Sequence, residues 1–292
     1  MKNRKTTKNP TGVIIVLVFL GGLFLFPLLV TFAGSFMTEQ SIGVHYSSKI
    51  SVFDLALGIT EKFKKMLLIP NPVSLEQYAG VLVKEPAFLV LLFNSLKITA
   101  PVTALSLAVA LLSAYGFTIW GWKGKEKLFM VYVVVMLMPL QAVLVPNYIV
   151  AALLGIQKSS LAIILPGIFA PFPFFLMRQS MKAIPQAYFD AALIDGAGNW
   201  QTLFFIIAPQ LKSAIAALCM LTFIEYWNLV EQAVIFIDDY RKEPLSVYLS
   251  RLADGRTGLI FAASCVYLFL PVWFLFAGQK DLEKGIELSG VK

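Results

Sequence analysis

The sequence predicts an all-α integral membrane protein with six transmembrane helices. Of its 292 residues, 58% are hydrophobic and 14% charged, and the mean hydropathy is +0.77. A soluble domain of this length carries about 25% charged residues. So much apolar surface does not fit inside one globule, and lipid is the solvent it suits. Six apolar stretches also approach or exceed the roughly 20 residues that a helix needs to cross a bilayer. Basic residues fall in two short flanks, the pattern that orients membrane proteins. The net charge of +7 is therefore assigned to membrane-flanking lysines, with no nucleic-acid partner.

The first span is residues 12–36, preceded by Lys2, Arg4, Lys5 and Lys8. Its apolar run exceeds the 7–15 residues of a signal-peptide core, so it is read as an uncleaved span. Residues 37–86 form a long polar segment. Within it, "SVFDLALGITEKFKKMLL" places apolar residues at helical spacing and predicts a short external helix. The second span lies within 87–119, the third runs over about 128–153 and the fourth over 161–177. The fifth covers 213–237 and the sixth 258–277. Prolines 27, 101, 139, 146, 166, 171, 173 and 271 fall inside these runs. They suit either a pathway that opens and closes or simple packing irregularity. Cys219 and Cys265, in apolar runs, read as small buried hydrophobes, and the only histidine, His45, as a polar-loop residue.

Lys123, Lys125 and Lys127 crowd the loop 121–127, on the same side as the basic amino terminus if the spans alternate. That side is predicted to be the cytoplasm. Both termini (1–11 and 278–292) and the loop 178–210 then face the cytoplasm, and 37–86 faces outward. Long segments weigh little in this rule, so the lysines of 37–86 do not oppose it.

The cytoplasmic loop contains "YFDAALIDGAGNW", residues 188–200. Pro185 suits the first turn of a helix, which runs from Gln186 to Asp195. Gly196 fits the left-handed position that ends it. Asn199 can cap a second helix starting at Trp200, and Pro209 closes the unit. Tyr188, Ala191, Ala192 and Asp195 share i, i+3, i+4, i+7 spacing and one flat face. That face either packs on its own chain or meets another surface.

"DAALIDGAGNWQTLFFIIAP", residues 190–209, resembles the EAA loop of permease subunits in binding-protein-dependent ABC importers. Ala191, Ala192, Asp195, Gly196, Ala197 and Pro209 stand at matching positions. Asp190 replaces the family's glutamate, Leu203 a common phenylalanine, and Ala208 a leucine. "NSLKIT" (94–99), "LLSAYGFTIWGWKGK" (111–125), "MRQSMKAIP" (177–185), "FIEYWNLV" (223–230) and "GQKDLEKGIELSGVK" (278–292) resemble the carbohydrate branch, particularly the maltose-type second permease. The similarity covers about residues 70–292, and the segment 44–66 departs from it.

The resemblance implies one permease domain over 1–292, with its transmembrane core at 87–277, in a bacterial cytoplasmic (inner) membrane. It implies a coupling helix, carried by Asp190, Ala191, Ala192, Asp195, Gly196 and Ala197, that docks on a separate ATPase. The implied partners are a second permease, an ATPase dimer, an extracytoplasmic solute-binding protein and membrane lipid. ATP and Mg belong to the partner ATPase, because no G-x-x-x-x-G-K-[ST] run stands in this sequence. The chain itself is expected to carry no cofactor and no metal, and not to be an enzyme.

Glu225 and Asn228 lie three residues apart on one helical face of the fifth span, with Glu231 following. A charge at mid-bilayer normally faces a bundle interior or cavity. Glu225, Trp227 and Asn228 are thus candidates for the translocation path, with helix packing as the other reading. A saccharide or oligosaccharide is the expected solute, glycerol-phosphate types being compatible. The main alternative is an ion-gradient-driven secondary transporter or channel. It expects a relay of carboxylates or inverted repeats, and neither is visible. A membrane enzyme would need a nucleophile–base pair, and none is recognisable.

Overall fold

The computed structural model describes residues 10–46, 69–251 and 257–290, and side chains within them except at 10, 44–46 and 280–290. Every regular element among the described residues is helical. In chain order they are α1 (Pro10–Ser35), α2 (Glu39–Tyr46), α3 (Glu76–Ala79), α4 (Pro86–Ile119), α5 (Lys125–Met136), α6 (Leu140–Leu153), α7 (Leu161–Ile168) and α8 (Pro171–Lys182). There follow α9 (Gln186–Ile194), α10 (Asn199–Gln201), α11 (Ala208–Gln210), α12 (Lys212–Trp227), α13 (Glu231–Phe236), α14 (Leu245–Arg251) and α15 (Thr257–Gly290). Wider π-helical turns continue α3 over Gly80–Lys84 and join α10 to α11 over Thr202–Ile207.

Four stretches are long and apolar enough to cross a membrane: Thr11–Ser35, Pro86–Ile119, Leu161–Lys182 and Thr257–Gln279. Two bent pairs bring the number to six if each pair is one span. In the first, α5 and α6 meet at 103°. The run 128–153, expected as one helix, is therefore broken. Pro139 adopts an extended conformation and caps α6. In the second, residues 199–210 meet α12 at 79°. The expected fifth span, 213–237, also ends early, at Trp227. Sixteen residues rise only about 24 Å at 1.5 Å each. The fourth, expected to end at 177, runs on to Lys182. Of the eight prolines, Pro139 and Pro171 start helices and Pro173 lies in the first turn of α8, whereas Pro27, Pro101, Pro146, Pro166 and Pro271 sit inside helices.

The chain falls into two units. In the first, α1 ends against the start of α15, where a side chain at Gly34 would collide with the Phe261 ring. The Glu39 carboxylate accepts from Gln77 Nε2 (3.2 Å) and from the Gly258 N–H (3.1 Å). A carboxylate is thereby placed on the positive end of α15. The Ser35 and Tyr78 hydroxyls bond at 2.8 Å. The predicted external helix at 51–68, and most of 44–66, lie outside the described residues, as do the basic residues before Pro10 and the last two residues of the tail.

The second unit is organised along α4. Its first half joins a core with Leu144, Ile163, Tyr226 and Phe236 around Ile98 and Val102. Gly167 allows close approach there, since a Cβ would stand 2.9 Å from Val102 Cγ1. The second half of α4 contributes Ala110, Ala114 and Tyr115 to a separate core with Phe129, Phe174, Met177 and Met181. Phe189, Leu203 and Ile207 enter this same core. The amphipathic loop is thus bolted to the protein by its own apolar residues.

Candidate functional site

The loop after α8 forms a helix, a tight turn and a second helix. Pro185 is the N-cap of α9, and its extended ψ of 137° sets the entry of the chain. At the other end Gly196 takes φ +71°. Its N–H donates to the Leu193 carbonyl (3.1 Å) and the Ala197 N–H to the Ala192 carbonyl (2.9 Å). These two bonds are the Schellman stop that the glycine implied. Helical geometry ends at Ile194, with Asp195 as C-cap.

The second helix starts one residue earlier than expected. Gly198, and not Asn199, is the N-cap of α10. Gln201 Oε1 reaches back to accept the Gly198 N–H at 2.9 Å, and Thr202 Oγ1 donates to the Gly198 carbonyl at 3.1 Å. Gln201, three residues past the cap, is the residue whose capping role the sequence reading missed.

The faces of α9 are now fixed. Phe189 and Ala192 are buried, Ala192 at 2% exposure. Tyr188, Asp190, Ala191 and Asp195 are exposed, together with Leu193 at 78% and Ile194 at 85%. Ala192 therefore packs on its own chain and does not share the outward face of Ala191. Asp190 accepts from Gln186 Nε2 at 3.2 Å. Ala197 is half-buried, and with Asp190, Phe189, Leu193, Asn199 and Tyr115 it lines a cleft of about 230 Å³ beside the helix.

A long-range ion pair steadies the approach to this loop. Arg178 on α8 is 1% exposed and donates to Glu126 Oε1 at 2.7 Å. Its guanidinium lies 3.7 Å from the centroid of Phe129 and 5.9 Å from that of Phe117. An arginine plane stacked on rings in this way is a specific fit that lysine would not reproduce. Lys182 lies 3.7 Å from the same carboxylate. The partners are 52 residues apart in sequence, which hid the pair from local pattern reading.

The second group of candidates sits at the far end of α12. Glu225 is exposed in the last turn of a helix that ends at Trp227, short of the expected 237. Trp227 is fully buried and stacks on Phe223 at 5.4 Å, so its ring is a packing element and not a surface open to solute. Asn228 is exposed and caps the helix, donating to the Ile224 carbonyl at 3.0 Å. Glu231 begins α13 and accepts from Gln141 Nε2 at 3.1 Å. Cys219 and Cys265 are half-buried free thiols. Among the described residues, no group of three or more His, Cys, Asp or Glu side chains is placed to hold a metal ion.

Residues 106–278 match the model of the family described as "Binding-protein-dependent transport system inner membrane component". The lactose transport system permease protein LacG of Rhizobium radiobacter is 30% identical over 203 residues, 68% of this chain and 74% of LacG. The arabinooligosaccharides transport system permease protein AraQ of Bacillus subtilis is 26% identical over 251 residues, 82% of this chain and 89% of AraQ. In fold, the chain is similar to one from a crystal structure of a bacterial ABC transporter involved in the import of the acidic polysaccharide alginate. The TM-score is 0.76 at 19% identity, covering 96% of this chain and 99% of that one. With more than half its length inside the family's match, this chain belongs to the inner membrane components of binding-protein-dependent transport systems, the permease subunits of ABC importers.

Proposed function

We propose that the chain forms half of the translocation pathway for a sugar or oligosaccharide and couples to a separate ATPase through residues 186–209. The observation that carries this reading is the α9–α10 unit. It is closed locally by the Gly196 stop and the Gln201 cap, anchored by Phe189, Ala192, Leu203 and Ile207, and yet presents Leu193 and Ile194 outward. A rigid, anchored element with exposed apolar side chains suits transmission of force from a partner. Tyr188, Asp190, Ala191 and Asp195 border that outward face, Gly196 supplies the turn, and Ala192 fixes the helix from behind.

The solute class rests on the lactose and arabinooligosaccharide permeases to which the chain is similar. In this reading each bent pair counts as one span, giving six spans in a single permease domain. Both termini and the α9–α10 unit lie in the cytoplasm, on the cytoplasmic (inner) membrane of a bacterium. A second permease, an ATPase dimer holding ATP and Mg, and an extracytoplasmic solute-binding protein complete the assembly. Glu225 and Asn228, exposed at the end of α12, border the path, while Trp227 supports it from the core.

Purification of the tagged chain in mild detergent from its native membrane tests the proposal. Recovery with a second permease and an ATPase whose hydrolysis responds to a sugar-loaded binding protein is the expected result. A homo-oligomer that transports without nucleotide would refute it.

A further inference from the structure

Beside the coupling unit lies a second, more apolar cleft of about 300 Å³. It is lined by Leu112, Tyr115, Gly116 and Trp120 from the end of α4 and by Trp200 and Leu203 from the α10 side. Trp120 is 63% exposed and Trp200 65%. Trp122, also exposed, packs edge-on against Phe117 close by. Three of the chain's five tryptophans thus gather at the end of one membrane helix, the depth at which indole rings favour the headgroup boundary. A cation is tied to the same rim: Lys125 Nζ donates to the Trp120 carbonyl at 3.5 Å. Exposed Lys123 and Lys127 flank it in sequence.

We propose that this cleft is a binding site for an anionic phospholipid, one acyl chain lying between Trp120 and Trp200 and the phosphate facing Lys123, Lys125 and Lys127. Any crevice on a lipid-facing helix fills with some lipid. What selects an anionic one here is Lys125 on the rim, with exposed Lys123 and Lys127 two residues to either side in sequence, each lysine near a headgroup surface favouring it roughly five-fold. Because Trp200 and Leu203 belong to the α10 side, the bound lipid braces the coupling unit against α4. This inference concerns a different site from the ATPase-docking face, and lipid retention reads it without transport.

The assembled transporter is equilibrated in mixed micelles holding equal parts of phosphatidylglycerol and phosphatidylcholine, and its retained lipids are counted by native mass spectrometry. The wild type keeps phosphatidylglycerol in preference, by about 25-fold if two lysines act together. The triple variant Lys123→Gln, Lys125→Gln, Lys127→Gln keeps the two lipids equally. Gly116→Leu lowers retention of both. A Cβ at Gly116 stands 3.6 Å from the Trp120 ring, an ordinary contact, so a side chain can start from this position into the slot. Equal retention in the wild type, or an unchanged preference in the triple lysine variant, overturns the proposal. So does a photocrosslink from position 120 to a protein subunit in place of lipid.

Discussion

The two ends of α12 are built differently. At its amino-terminal end the α9–α10 unit is closed by its own backbone bonds and sunk into a shared core by Phe189, Ala192, Leu203 and Ile207. At its carboxyl-terminal end the polar residues Glu225 and Asn228 stand exposed around a break, with Trp227 alone of the three candidates in the core. In the proposed function the first end is a lever whose shape must survive a load. The other exposes two polar residues, Glu225 and Asn228, the latter capping the helix through Ile224. Substitutions at the first should act through geometry and be large. Those at the second should act through chemistry and be small.

The largest effect is expected at Gly196. Proline there cannot adopt φ +71° and removes the N–H that bonds Leu193, a change of about 3 kcal/mol or more. Gly196→Pro should abolish stimulation of ATPase activity by the loaded binding protein while membrane insertion persists. Retained stimulation would show that the turn does not carry the coupling.

Next come neighbouring alanines that differ only in the face they occupy. Ala192→Phe overpacks a buried site and should lower stability by about 1–3 kcal/mol, read as a lower thermal midpoint. Ala191→Phe should leave the midpoint alone, within about 0.5 kcal/mol, and weaken ATPase association instead. The reverse pattern would mean that the helix is turned the other way in the assembly.

Arg178→Lys keeps the charge but loses the flat stack on Phe129. It should lower the thermal midpoint more than Lys182→Gln does, since Lys182 is half exposed and 3.7 Å from the shared carboxylate. Equal midpoints would remove Arg178 from the account of what holds α8. The smallest effect is assigned to Glu225→Gln. It should reduce solute uptake only modestly while ATPase association is unchanged. Loss of association would make this end of α12 part of the lever.

How much of this was legible in the sequence follows the same division. Gly196, Pro185 and the extent of α9 were readable because a Schellman stop and a proline entry are local, set by residues a few positions apart. The breaks at Leu137–Pro139 and after Trp227 were not, because apolar composition runs straight through them and only tertiary packing decides where a helix stops. The spacing of α9 placed Ala191 and Ala192 together, yet one residue is a rotation of about 100°, enough to put the second in the core. The Arg178–Glu126 pair and the cleft at Trp120 join segments far apart in the chain, and neither carries a local signature.

The central claim is that the outward face of α9 meets an ATPase, and cysteine crosslinking in the assembled transporter tests it most directly. In a background with Cys219 and Cys265 changed to alanine, Ala191→Cys and Ala192→Cys are compared in inside-out membrane vesicles. The account predicts a crosslink from position 191 to an ATPase subunit and none from position 192. Crosslinking from both positions alike, or from neither, would contradict it.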